Sequence, residues 1–226
     1  MKILFKYPTR DRVSWFKETL AKYHDMISSE CNFQFLITAD RDDTTMNNPE
    51  MLDYLAAMED LVIAYGDSKT KIEACNADIG LIKDWDILVL VSDDMIPIVQ
   101  DFDKIIVELM EKYFPDTDGA LHFNDGLYGQ DKCITFSVLG RKLYDRFGYV
   151  YHPSYRSFYC DNEFTDVVRA LDKYHYDPRI IVKHEWHGGP NSTDALYRRN
   201  SGMKGDSRVY YRRRLLNFPI ETSWRL

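Results

Sequence analysis

Short apolar runs, closed by turn-forming residues, alternate along the first half of the chain with longer stretches whose apolar residues recur every three or four positions. That pattern predicts strands and helices in turn. Ile3 to Tyr7 predicts a strand, closed by Pro8-Thr9-Arg10-Asp11-Arg12. From about Ser14 to Ser29, Phe16, Leu20, Tyr23 and Ile27 fall on one helical face. Phe33 to Thr38 predicts a second strand, followed by the acidic loop Asp40-Arg41-Asp42-Asp43. Asn48-Pro49 has the residue types of an N-cap and a first helical position, and opens a helix with Leu52, Leu55 and Ala56 inside. Leu61 to Tyr65 predicts a third strand, closed by Gly66-Asp67-Ser68, with Ser68 placed to cap a helix carrying Ile72, Cys75, Ile79 and Ile82. The fourth strand, Ile87 to Val91, is unbroken apolar sequence, as in a strand buried on both faces. It runs directly into Ser92-Asp93-Asp94-Met95-Ile96-Pro97. A helix from about Phe102 to Tyr113 and a strand from Ala120 to Asn124 follow. This order predicts an α/β fold: a Rossmann-like, mostly parallel central sheet flanked by helices.

The second half is less regular. Lys132 to Leu139 predicts a strand, and Arg141 to Phe147 a short helix ending at Gly148. The aromatic loop Tyr149 to Tyr159 leads to a helix from about Glu163 to Tyr174, with Phe164, Val167, Val168 and Leu171 inside. Ile180 to Lys183 predicts a last strand, ending at His184-Glu185-Trp186-His187. Residues 188–226 are polar and basic, with helical potential only near Val209 to Leu216.

Composition narrows the class. A chain of 226 residues, 45% hydrophobic and 29% charged, with 16 Tyr and 12 Phe, is globular rather than disordered. No stretch has the length of a membrane span, and the N-terminus lacks the pattern of a signal peptide. Cys31, Cys75, Cys133 and Cys160 are scattered without a CxxC pair, which predicts reduced thiols and a cytoplasmic protein. The net charge of −7 hides an asymmetry: residues 1–190 carry −12 and residues 191–226 carry +5. A basic tail beside an acidic body suits an anionic ligand, or is simply a solvated tail.

Two carboxylates at the end of a buried strand are costly unless compensated. Asp93 and Asp94 are therefore candidate ligands for Mg2+ or Mn2+, which take few carboxylates and complete their shell with water and phosphate oxygens. The same pair taken alone also reads as an acidic turn capping the next helix. His184, directly after an apolar strand, is the candidate imidazole ligand and is preferred to His187 as the closer to the strand end. Asp161, at the start of a helix, is either a favourable charge at the helix dipole or a general base. Thr9, Arg10, Asp40, Asp67 and Ser68 all fall at predicted carboxyl ends of strands, where α/β sheets bind ligands.

Four segments in order resemble a GT-A-fold glycosyltransferase of the broad family 2 type. Pro8 to Arg12 is similar to the family's nucleotide-binding loop. Ala74 and Asn76 resemble an Ala-x-Asn step after the third strand, and Ser92 to Pro97 resembles the DxD-type metal motif. Asp161-Asn162-Glu163-Phe164 resembles the Glu-Asp motif opening the acceptor-side helix. Two departures stand out: the metal motif reads Ser-Asp-Asp, and Cys160 occupies the position of the usual Glu.

The resemblance implies a metal-dependent, inverting transfer of a sugar from a nucleoside-diphosphate donor, foremost a UDP-sugar, to a hydroxyl acceptor. It implies a catalytic domain over residues 1–187, with a nucleotide-sugar half (1–97) and an acceptor half (98–187), and a basic lid or tail over 188–226. Asp161 falls on the catalytic base, and Asp94, Asp93 and His184 on the metal site. Pro8, Thr9, Arg10, Arg12, Asp40, Asp67, Ser68, Lys71, Asn76, Ser92 and Asp93 are the donor-binding candidates, joined by Arg198 and Arg199 closing over the diphosphate. Tyr151, Tyr155 and Phe158 are candidates for an acceptor platform, or ordinary core. Nucleotidyl transfer is disfavoured because Pro8 to Arg12 contains no glycine. A non-catalytic binding module of the same fold is the remaining alternative. The cluster Tyr210-Tyr211-Arg212-Arg213-Arg214 mixes aromatics and cations in a way that suits a nucleic-acid acceptor or anionic lipid.

Overall fold

Alternation of side chains along the central strands decides what each face of the sheet packs against. A computed structural model describes residues 1–127, 131–185, 194–201 and 204–219. Its strands are β1 (Lys2–Pro8), β2 (Asn32–Asp40), β3 (Leu61–Gly66), β4 (Ile87–Leu90), β5 (Met95–Pro97), β6 (Ala120–Phe123), β7 (Val138–Gly140), β8 (Tyr174–Asp177) and β9 (Val182–His184). Its helices are α1 (Val13–Met26), α2 (Pro49–Ala56), α3 (Lys71–Asn76), α4 (Phe102–Tyr113), α5 (Arg141–Phe147), α6 (Cys160–Ala170), α7 (Ala195–Ser201) and α8 (Asp206–Leu215).

Seven strands form one sheet in the order β3-β2-β1-β4-β7-β6-β8, and β5 and β9 form a separate two-stranded ribbon. The odd-numbered row of β1 (Ile3, Phe5, Tyr7) joins Phe35, Ile37, Ile87 and Val89 in one core with α1, α2 and α4. The even-numbered Leu4 joins Leu36, Leu88 and Leu90 in a second core with α3, α5, α6 and Tyr210 of α8. Lys6 interrupts that second row and is fully buried. Its ammonium reaches the Thr38 hydroxyl, which donates in turn to Asp78 at 2.9 Å. Burial pulls the Lys6 pKa down to about 8 against the attraction of Cys75 and Asp78.

The α/β expectation holds, and the first half matches closely. β1 pairs in parallel with β2 and β4, and β2 with β3. Asn48 caps α2 as its sequence predicts, accepting from the Met51 amide at 3.0 Å. The helix after β3 is capped by Thr70 rather than Ser68, because the Ser68 amide is held by Asp40 at 3.0 Å.

The second half departs more. Of the predicted Lys132–Leu139 strand only Val138 and Leu139 are strand, within β7, which runs antiparallel between β4 and β6. Gly140 is needed there, since a Cβ would overlap the Thr117 carbonyl oxygen. The helix predicted to reach Tyr174 stops at Ala170, and Asp172 takes a left-handed conformation (φ 54°). This frees Tyr174–Asp177 to pair in parallel with β6. The last predicted strand leaves the main sheet and pairs with β5 instead. His187 lies outside the described residues, and all four cysteines are free. Among the described residues no helix is long and apolar enough to cross a membrane.

The basic C-terminal segment is docked on the body. Arg213 of α8 grips buried Glu163 of α6 through two nitrogens, at 2.8 and 2.9 Å, and the Tyr210 hydroxyl donates to Asp166 at 2.7 Å. Asp206 is buried and accepts the amides of Arg156, Ser157 and Phe158 at 3.1, 2.8 and 2.7 Å. Replacing that carboxylate strands three amides. Asp206→Ala is therefore expected to lower unfolding free energy by roughly 3 kcal/mol. A urea midpoint within experimental error of the parent would show that α8 does not brace this loop.

Candidate active site

The carboxyl ends of β1, β2 and β4 open into one cleft of about 250 Å3. Its centre is the turn after β4. The Met95 amide bonds back to the Ser92 carbonyl at 3.0 Å, so the chain reverses across Asp93 and Asp94 and the two side chains part. Asp93 turns inward, where its carboxylate accepts from the Thr9 hydroxyl at 3.1 Å and lies 3.8 Å from the Arg12 guanidinium. Burial raises its pKa to about 7, against the pull of Arg12 and Thr9.

Asp94 turns toward the ribbon. β5 and β9 pair with Met95 opposite His184, and the Glu185 amide donates to the Asp94 carbonyl at 2.7 Å. That register brings His184 Nε2 to 3.7 Å from Asp94 Oδ2, while Ser92 donates to the other carboxylate oxygen at 2.6 Å. Burial would raise the Asp94 pKa, but His184 and Ser92 outweigh it and hold the carboxyl well below its usual range. On the far side of the imidazole, Nδ1 lies 3.6 Å from buried Asp125. The two flanking carboxylates overcome burial and raise the His184 pKa to about 9.

Asp125 is held firmly. Its carboxylate accepts from the Thr135 hydroxyl at 2.6 Å and from the Leu127 amide at 3.0 Å, and its carbonyl accepts the His184 amide at 2.8 Å. It was absent from the sequence-derived set, although it carries the same signal as Asp40, an acid just past the end of an apolar strand.

Across the cleft, Asp161 sits in the first turn of α6. Burial raises its pKa while the positive charge of Lys71 opposes the rise. Lys71, at the start of α3, is felt electrostatically at both Asp94 and Asp161. Pro8, Thr9, Arg10, Arg12, Asp40 and Ser68 build one wall of the cleft. Arg10 is already committed to acids, at 2.7 Å from Asp40 and 2.5 Å from Asp42. α7 adds Leu196, Tyr197, Arg199 and Asn200 to the lining, and an ion pair between Arg12 and Asp194 ties its start to the first loop.

Three predicted positions do not line the cleft. Asp67 is exposed and pairs with Arg41 at 2.6 Å. The Asn76 amide bridges to the backbone of Val150 and Tyr151, so it positions the aromatic loop. Arg198 is exposed on α7 and outside the lining. Of the aromatic trio, Tyr151 and Phe158 reach the cleft, whereas Tyr155 is buried and donates to Glu163 at 2.7 Å.

Comparison with solved structures gives the fold its class. The mannosyltransferase PcManGT from Pyrobaculum calidifontis, in complex with GDP-Man and Mn2+, matches with a TM-score of 0.72 and 11% identity, over 97% of this chain and 65% of that one. S. aureus TarS 1–349 in complex with UDP-GlcNAc matches with a TM-score of 0.66 and 12% identity, over 86% and 61%. The chain thus spans less than two thirds of either protein. No family model matches the sequence, and no curated protein matches it. The fold is GT-A, the fold of these nucleotide-sugar glycosyltransferases.

Among the described residues, no three His, Cys, Asp or Glu side chains converge on one metal position. Asp94 and His184 do converge as a pair, and two protein ligands suffice for a cation that also binds phosphate and water. The buried Arg12–Asp93 contact has its own test. Arg12→Met leaves a buried carboxyl without its cation, and is expected to cost about 1–2 kcal/mol more in the parent than in an Asp93→Asn background. Equal costs in a double-mutant unfolding cycle would show that the two groups are not coupled.

Proposed function

We propose that this protein is a metal-dependent, inverting glycosyltransferase that moves a sugar from a nucleoside-diphosphate donor to a hydroxyl acceptor. The observation that carries this reading is the cleft itself. It joins the Asp94–His184 pair to Asp161, with Lys71 acting electrostatically on both sides, at the strand ends of a GT-A fold. The structural neighbours bind GDP-Man and UDP-GlcNAc. A UDP-sugar is the first donor class to test. Residues 1–187 carry the catalytic machinery in this reading, and α7 adds a wall from the C-terminal segment. Four free cysteines suit a reducing, cytoplasmic setting.

Asp94 and His184 are the residues to hold Mn2+ or Mg2+, with Asp93 behind them shaping the turn through Thr9 and Arg12. When bound, such a cation neutralises the departing diphosphate. Lys71 adds positive charge that acts on Asp94, and Arg199 lines the same cleft. Asp40, Ser68 and Thr9 offer polar groups to the nucleoside. Asp161 takes the acceptor proton. Burial makes its carboxylate a stronger base, while Lys71 favours the ionised form that catalysis requires. Attack by the deprotonated hydroxyl on the face opposite the diphosphate inverts the anomeric carbon.

Asp161→Asn is expected to leave donor binding intact and to cut turnover at least about a hundredfold. Unchanged turnover removes Asp161 as the base. EDTA is expected to abolish transfer and Mn2+ to restore it, and full activity in EDTA excludes the metal role of Asp94 and His184. Asp125 orients the His184 ring, so Asp125→Asn is expected to weaken Mn2+ binding by about 10–100-fold in calorimetric titration. An unaltered Mn2+ affinity would remove Asp125 from the support of that ligand.

A further inference from the structure

α8 presents two unlike faces. Asp206, Val209, Tyr210 and Arg213 point into the body, where they cap the 156–158 loop, pack on the second core and grip α6. The intervening positions point outward. Lys204, Arg208 and Arg212 are all exposed, and Tyr211, Leu215 and the capping Leu216 are 57%, 85% and 62% exposed. Arg208, Tyr211, Arg212 and Leu215 follow the three- and four-residue spacing of a single helical face. The fold thereby divides a motif that reads as one cluster in sequence. Tyr210 and Arg213 are structural, and their neighbours form a separate basic and apolar stripe.

We propose that this outward stripe docks the protein on an anionic lipid surface. Cations, a tyrosine and Leu215 on one face, with exposed Leu216 at its end, match the layers of a membrane interface, with phosphate outermost and acyl carbon beneath. Each cation near such a surface adds roughly a fivefold gain in partition. The stripe is positive although residues 1–190 carry a net −12, so α8 offers an anionic surface a charge complement that the net charge of the body opposes. A nucleic acid would satisfy the arginines and leave both leucines in water. Asp206, at the N-terminal end of α8, holds the Ser157–Phe158 edge of the cleft, so the docked helix is the one that braces that edge. The acceptor class is then a hydroxyl carried by a membrane-bound molecule, a step that rests on the transferase reading.

The docking test needs neither donor nor metal, so its failure is separate from failure of that reading. Flotation of the full chain is compared on phosphatidylcholine vesicles and on vesicles containing about 30% phosphatidylglycerol, a strongly anionic surface. Binding at least about tenfold tighter to the anionic vesicles, and falling with salt, is expected. Arg208→Glu/Arg212→Glu should abolish it. Leu215→Ser/Leu216→Ser should weaken it about tenfold while leaving the melting temperature unchanged, and carries the test alone if the charge-reversed variant does not fold. Equal flotation with both vesicle types, or undiminished binding of the variants, overturns the proposal. So does binding of a single-stranded oligonucleotide that is lost on charge reversal while the vesicles stay unbound, which assigns the face to nucleic acid.

Discussion

An ionised carboxylate at the end of a fully buried strand must be compensated, and this single constraint organises the cleft. Asp93 and Asp94 follow four buried residues of β4, where an uncompensated charge costs several kcal/mol. The turn resolves the problem by sending the two side chains in different directions. Asp93 is matched from the first loop by Thr9 and Arg12, and its pKa rises to about 7. Asp94 is matched from the ribbon by His184 and stays ionised. Each compensation recruits another part of the chain, so the loop after β1, α7, β9 and Asp125 all converge on one turn.

The same logic separates residues that are committed from those available to a ligand. Arg10 is neutralised by Asp40 and Asp42, and Arg12 is shared between Asp93 and Asp194. These arginines stiffen the wall formed by the loop after β1. Lys71 has a different position, since its charge acts on Asp94 and Asp161 together. It favours the ionised form of both carboxylates, against the burial that raises the pKa of each. Asp125 acts one layer further out, bracing His184 through side chain and backbone at once.

The C-terminal segment contributes through the 156–158 loop and α6. Asp206 organises three successive amides at the edge of the cleft, and the Arg213–Glu163 pair fixes α8 against the helix that carries Asp161. A change on α8 is therefore positioned to be felt at the cleft edge through backbone rather than through a long chain of side chains.

Much of the first half was legible in the chain because its signals are local. Apolar runs and helical spacing mark β1 through β4 and the helices between them, and Asn48-Pro49 states its own cap. The polar strand ends also pointed to a cleft, with Asp94, His184, Lys71 and Asp161 among its lining. The antiparallel insertion of β7, the pairing of Tyr174–Asp177 with β6 and the departure of β9 into a ribbon were not legible. Each depends on a partner distant in sequence, and strand direction leaves no mark on local periodicity. The bracing by Asp125 and the use of Asn76 as a backbone bridge are of the same kind. By itself, then, the sequence determined which residues must be buried, which chain ends are polar and where charge needs an answer, because burial and helical period are written residue by residue. Only the tertiary structure decided which cation or imidazole supplies that answer, because compensation is settled by distance in space and not by separation along the chain.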